Sequence, residues 1–329
     1  MDKKDILYFA NADTYDQWMK QVEGEKQNLL NQKRKKMAAR RLFRAEGGCI
    51  VYLDDLKGQM TIIHSSGDIQ KEEHVQAFSA SERNYAVLYT DGSVKVFGED
   101  NGYGQKDTEN WSDIIQILAA PNCTYGITKN GEIIYAGLAQ KDVLGWKNIK
   151  MLQAGKNRIV GLEKDGKIKI SDNGNGDIEL TGQPDNWPEI KEIALSGNCI
   201  AGLTKDGRVL FCGKQDDARR QAEEWADVIT LTADSSFVYG LTSDGQIKVA
   251  GTCAAYFDRG RSDVSQWSKQ ERVLALTGNP SGGVAAVTES GELKMAGAIS
   301  ADSDTICESW NHSIRPFLSE HAEKEVNNV

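Results

Sequence analysis

Four aspartates, Asp91, Asp165, Asp206 and Asp244, recur along the chain, each followed directly by glycine. A series of acids suggests metal binding or proton transfer. Asp-Gly between apolar runs is, however, a strong hairpin signal, because Asp forms local side-chain turns and Gly takes positive φ. These aspartates are therefore expected to build turns. The four histidines, His64, His74, His312 and His321, show no metal-ligand spacing. The six cysteines include no C-x-x-C pair, so neither a zinc site nor a disulfide scaffold is expected, and reduced thiols buried in strands fit better. Glycine-rich "NGYG" (101–104) and "NGNG" (173–176) lack the helix a phosphate cradle needs, and read as turns. No nucleophile-elbow or P-loop pattern occurs. No cofactor, no metal and no enzymatic activity are expected.

Two segments carry residue types suited to recognition instead. "CAAYFDRGRSD" (253–263) breaks the spacing of its surroundings and offers Tyr256, Phe257, Arg259 and Arg261. Aromatics and arginine are enriched at binding hot spots. The alternative is that the two aromatics fill space between structural units. Tyr103, in "GEDNGYGQ", is a weaker candidate of the same kind. The second segment is basic. Between Gln17 and Arg44 stand nine Lys or Arg and two Glu, with Lys33, Arg34, Lys35 and Lys36 consecutive. It has good helix formers and no proline, so a helix is expected. Such an arm solvates itself on the acidic remainder of the chain, docks on a protein, or contacts nucleic acid or an anionic membrane. The formal net charge of −9 opposes broad nucleic-acid binding.

These candidates must be positioned by the elements around them, and those elements repeat. Apolar run, turn, apolar run recurs seven times, with turn glycines at Gly58, Gly92, Gly131, Gly166, Gly207, Gly245 and Gly291, at spacings of 34 to 46 residues. Trp111, Trp146, Trp187 and Trp225 each precede a turn glycine by 20 residues, and Trp267 by 24. Each Trp leads toward an alternating, strand-like stretch. One small antiparallel sheet cannot bury its faces alone, and radial repetition solves this. The pattern predicts an all-β, seven-bladed propeller with three strands per blade and a variable loop with room for a short fourth. Gly126, Gly161, Gly202 and Gly240 are expected where backbones crowd near the axis. "RLFRAEGGCIVYL" at Arg41 aligns with "KMLQAGKNRIVGL" at Lys150, so the first blade owns its strands. "WNHSIRPFL" at Trp310 looks like another repeat start, which finishes the seventh blade or displaces the first strand.

The apolar run, Asp-Gly, apolar run and terminal Gly resemble the RCC1-type repeat, named for the regulator of chromosome condensation. "GEDNGYGQ" is the best match to that family's G-x-N-x-x-G-Q tail. The resemblance spans about residues 40–318 and implies a seven-bladed propeller of divergent, bacterial-like type. Members include a nucleotide exchange factor for a small GTPase and bacterial proteins that bind an enzyme through the loops of one face.

The organisation expected is a basic helical extension at 1–38, an RCC1-like propeller at 39–318 and a polar tail at 319–329. The expected function is a non-enzymatic module presenting propeller loops to a protein partner. A nucleic-acid-associated protein using the basic helix is the alternative, and a GTPase exchange-factor-like regulator the third. No apolar run is long enough to span a membrane, and no signal-peptide core is evident, which points to the cytoplasm.

Overall fold

The computed structural model describes residue 24 and residues 42–315, except 46–48, 55–57, 65, 82–83, 99–100, 121, 156–157, 173–183, 197–198, 280–281 and 298–302. The expected N-terminal helix with Lys33–Lys36, both domain boundaries, the polar tail and "NGNG" lie outside these residues.

Seven antiparallel sheets follow one another along the chain. Blade 1 has four strands, β1 (Leu42–Ala45), β2 (Cys49–Asp54), β3 (Gln59–Ile63) and β4 (Ile69–Glu72). Blade 2 has β5 (Val75–Ala80), β6 (Asn84–Tyr89) and β7 (Val94–Gly98), and blade 3 has β8 (Ile114–Ala120), β9 (Cys123–Thr128) and β10 (Ile133–Gly137). Blade 4 comprises β11 (Ile149–Ala154), β12 (Arg158–Glu163) and β13 (Ile168–Asp172), and blade 5 comprises β14 (Ile190–Ser196), β15 (Cys199–Thr204) and β16 (Val209–Cys212). Blade 6 holds β17 (Val228–Ala233), β18 (Phe237–Thr242) and β19 (Ile247–Gly251). Blade 7 holds β20 (Val273–Asn279), β21 (Gly283–Thr288) and β22 (Leu293–Gly297). Short helices α1 (Ala255–Asp258) and α2 (Ser265–Gln270) join blades 6 and 7, and α3 (Ser303–Ser313) follows blade 7.

The core is divided. Seven hydrophobic clusters lie at the seven seams between neighbouring blades. Each sheet thus buries both faces against its neighbours, which is what an isolated three-stranded sheet cannot do. The cluster joining blades 7 and 1 closes the ring, and α3 supplies Ile306, Trp310 and Ile314 to it.

The turn chemistry follows the sequence. All seven turn glycines have φ between 63° and 88°. Asp91 accepts from the Ser93 amide at 2.9 Å, and Asp165 from the Lys167 amide at 3.1 Å, as turn-forming aspartates do. These turns also tie blade to blade. At six seams the turn-glycine carbonyl accepts the amide of the first residue of the next blade, from 2.7 Å (Gly58 to Val75) to 3.4 Å (Gly92 to Ile114).

The middle-strand glycines have a different role from the one expected. A Cβ on Gly126, Gly161, Gly202 or Gly240 would stand 2.5–3.0 Å from the ring of Trp111, Trp146, Trp187 or Trp225. Each glycine makes room for its blade's own indole, 15 residues upstream, rather than for a crowded axis. In blade 1 the equivalent fourth position of the middle strand is Tyr52. Its ring meets Trp310 edge-on, with centroids 5.8 Å apart and planes at 87°. Trp310 is neither a seventh-blade strand nor a replacement for β1. It is a fully buried helical residue that serves blade 1 as the other tryptophans serve theirs.

Candidate functional site

Chain direction sorts the loops. First strands run toward the tight connections to the middle strands, and middle strands run back to the Asp-Gly turns. One face therefore carries the Asp-Gly turns. The other carries the tight connections and the starts of the long inter-blade loops, and the 253–263 loop and Tyr103 sit there.

The loop between β19 and α2 is held from beneath by a buried ion pair. Arg261 is 3% exposed, and its Nη1 donates to Oδ2 of the fully buried Asp234 at 2.9 Å. Tyr239 Oη donates to the same oxygen at 2.8 Å, and the amides of Ser236 and Phe237 donate to Oδ1. The guanidinium also lies over the Phe237 ring, 5.1 Å from its centroid. Burial alone would lower the Arg261 pKa, but Asp234 outweighs it and raises it. Burial and the same carboxylate push the Tyr239 phenol up. Arg261 is thus not a surface contact, contrary to expectation. Burying a lone guanidinium is too costly, so it is paired on every side.

Arg261 in turn fixes the chain above it. Its Nη2 donates to the Phe257 carbonyl at 2.7 Å and its Nε to the Asp258 carbonyl at 3.2 Å. The Asp258 carboxylate accepts the amide and hydroxyl of Ser262. Burial would raise that carboxyl, but the Ser262 bonds and Arg261 hold it below the usual range. Arg259 is exposed and left-handed at φ 47°, and its carbonyl accepts the Gly297 amide at 3.1 Å. On this base Tyr256 and Phe257 project, 77% and 64% exposed, their rings edge to face at 5.2 Å. They do not fill an inter-blade space.

Tyr103 is 55% exposed on the same face, but at the seam of blades 2 and 3, across the ring from the aromatic pair. The structure does not gather all five candidates into one patch. Within "GEDNGYGQ" the buried one of the described residues is Gln105, whose carbonyl accepts the Thr124 hydroxyl at 2.8 Å. Gln105 and Arg261 are equivalent. Each stands six residues before its Trp, and each lies against the terminal glycine of the next blade, Gly137 or Gly297. Arg219 does the same at Gly251, bound to Asp217. Burial alone would raise the Asp217 carboxyl. The Arg219 and Cys199 hydrogen bonds overcome it and bring its pKa down to about 2. The constant six-residue offset was visible in the sequence and marks Arg261 as a repeat residue.

Between blades 3 and 4 the same face opens a cleft of about 380 Å³, lined among others by Tyr125, Leu138 and Lys141. Cys123 also reaches it, but burial pushes its thiol up to about 12, so it stays protonated and unreactive at neutral pH. Cys123, Cys199 and Cys212 are buried free thiols in strands as expected, whereas Cys253 and Cys307 are half-buried and lie outside strands. Among the described residues no three His, Cys, Asp or Glu side chains group as metal ligands, and no helix is long and apolar enough to cross a membrane.

No family model matches the sequence, and no curated protein matches it. Solved structures do match. The ectodomain of the Physcomitrella patens receptor kinase CR4 superposes with TM-score 0.57 at 12% identity, covering 77% of this chain and 71% of that one. Yeast RCC1 (Prp20), solved bound to Kap60, gives TM-score 0.53 at 12% identity and 82% of each chain. The fold is an RCC1-like propeller. The CRINKLY WD40 ectodomain of the Arabidopsis thaliana receptor kinase ACR4 also matches, with TM-score 0.53 at 13% identity, over 78% of this chain and 97% of its own. Identities this low establish the architecture and leave the activity to the site.

Proposed function

We propose that the protein is a non-enzymatic interaction module that docks a protein partner on its loop face, with Tyr256 and Phe257 as the anchors. The observation that carries this reading is an exposed aromatic pair on a rigidly built base. Aromatics supply large contact area, and a loop already fixed by Arg261 loses little freedom on binding. The binding of Kap60 by yeast RCC1 supports a protein-docking role for such a fold. Affinity capture from source-cell lysate, half of it nuclease-treated, tests it. A stoichiometric protein that survives nuclease and is lost with Tyr256→Ala/Phe257→Ala is the expected result. Undiminished capture by the folded double variant removes the pair from the site. Capture that collapses with nuclease transfers the function to the basic arm at Lys33–Lys36 and its nucleic-acid reading.

A further inference from the structure

We infer that the outer edge of β10 is a receptor for an extended peptide, which adds to blade 3 as a fourth strand. This site is on the rim of the ring and is independent of the aromatic pair on the loop face.

Blade 1 shows the arrangement within the same molecule. There β4 pairs antiparallel with β3, Ile62 opposite Gln70, and Ile62 is 1% exposed. Tyr135 occupies the register of Ile62 in blade 3, where β10 ends the sheet among the described residues, and it is 46% exposed. The Thr128 amide bonds to the Glu132 carbonyl, so the antiparallel ladder turns the backbone groups of Ile133, Tyr135 and Gly137 outward. An unpaired edge of this kind templates another strand.

The third strands of the other three-stranded blades are guarded and this one is not. Opposite the fourth residue of the middle strand stand Lys95, Lys169, Lys248 and Lys294 in blades 2, 4, 6 and 7. Lysine at an edge strand is a standard protection against pairing. Blade 5 has Leu210 there, but the seven-residue 3-10 turn Ala218–Glu224 lies against β16. Blade 3 has Ile134, in the uncharged strand "IIYAG". The three-residue turn Val143–Gly145 touches β10 as well, yet leaves Tyr135 exposed. Beyond the strand, Leu138 is 62% exposed at the mouth of the 380 Å³ cleft. The occupant that fits is a proline-free, extended segment of a partner protein, apolar and uncharged where it meets Tyr135 and Leu138. Main-chain bonds supply its affinity, and the cleft takes one side chain.

A displayed library of twelve-residue peptides, selected on the full-length protein, tests this. Recovered peptides should slow exchange of the outward amides of Ile133, Tyr135 and Gly137 about tenfold or more. Their binding should fall about tenfold when one pairing amide is N-methylated, the cost of one main-chain hydrogen bond. Ile134→Lys should abolish binding, and it should fold, because four blades carry lysine there. The Tyr256→Ala/Phe257→Ala variant should bind the peptides unchanged. The inference is overturned if no peptide is recovered, if protection falls elsewhere, or if N-methylation is without effect. It is equally overturned if the outward amides of Ile133, Tyr135 and Gly137 are already protected without peptide, because the edge is then occupied by this chain or a second copy.

Discussion

The indole Nε1 of Trp310 donates to the carbonyl of Gly291 at 2.9 Å. At the six other seams the same turn-glycine carbonyl accepts a backbone amide from the next blade. At the seventh seam a side chain from α3 makes this bond, and the ring of that side chain also packs on Tyr52 of blade 1.

Trp310→Ala should therefore cost about 3–5 kcal/mol, the range for deleting a buried large aromatic. Trp310→Phe keeps a ring but strands the Gly291 carbonyl, and should cost roughly 1–3 kcal/mol. Urea unfolding gives both values. Hydrogen exchange should rise first in blades 1 and 7. Uniform loosening of all seven blades would contradict the closure role.

Gly202→Ala places a Cβ 2.5 Å from the Trp187 ring and should destabilise by about 1–3 kcal/mol. Gly145→Ala meets nothing within 4 Å and should be near neutral. Thermal melts of the two variants make the comparison.

Arg261→Ala leaves the Asp234 carboxylate buried without its cation. A loss of about 3–5 kcal/mol is expected. Arg259→Ala, two residues away and exposed, should stay within about 0.5 kcal/mol of the parent. Equal effects in denaturant titration would undo the assignment of Arg261 to the repeat framework.

Tyr256→Ala/Phe257→Ala should leave the melting temperature unchanged, because neither ring is buried. A melting temperature clearly below the parent's would show that the pair serves the fold.

Two acids give pH dependence of opposite sign. Asp217 has its pKa depressed to about 2. Its contribution is present above the unfolded value and is lost as pH falls from about 4 toward 2. Asp217→Asn should flatten that acid limb. Glu192 is the reverse. Burial raises its pKa, outweighing the bonds from the Thr230 hydroxyl and the Leu231 amide. Stability should fall as pH rises above the unfolded carboxyl value, and Glu192→Gln should remove that fall. Unfolding free energies measured across pH 2–8 separate the two.

Most of the architecture was legible because the repeat marks are local. Turn glycine, middle strand and Trp recur at fixed short offsets, so one unit predicts the next. The spacing of the middle-strand glycines stood in the sequence, each 15 residues after its Trp, but their role was misread as axis crowding because the indole contact is seen only in three dimensions. Trp310 was legible as another repeat start, but its helix and its docking place were not. Its partner Tyr52 lies at the other end of the chain, and it approaches on a helix instead of a strand. Arg261 was misread for a chemical reason. A charged residue in a polar loop reads as exposed, and nothing nearby in sequence names Asp234 as its counter-ion.

The position of Trp310 also orders events during synthesis. A ribosome releases every strand of blade 1 long before it makes the indole that seals that blade to the last one. Until then the nascent ring has one unsealed flank, open to chaperones and proteases. A chain cut short after the seventh blade would hold every sheet and still lack Ile306, Trp310 and Ile314 at the closing seam. Residues 303–315 thus complete the closing seam only after every blade has been made.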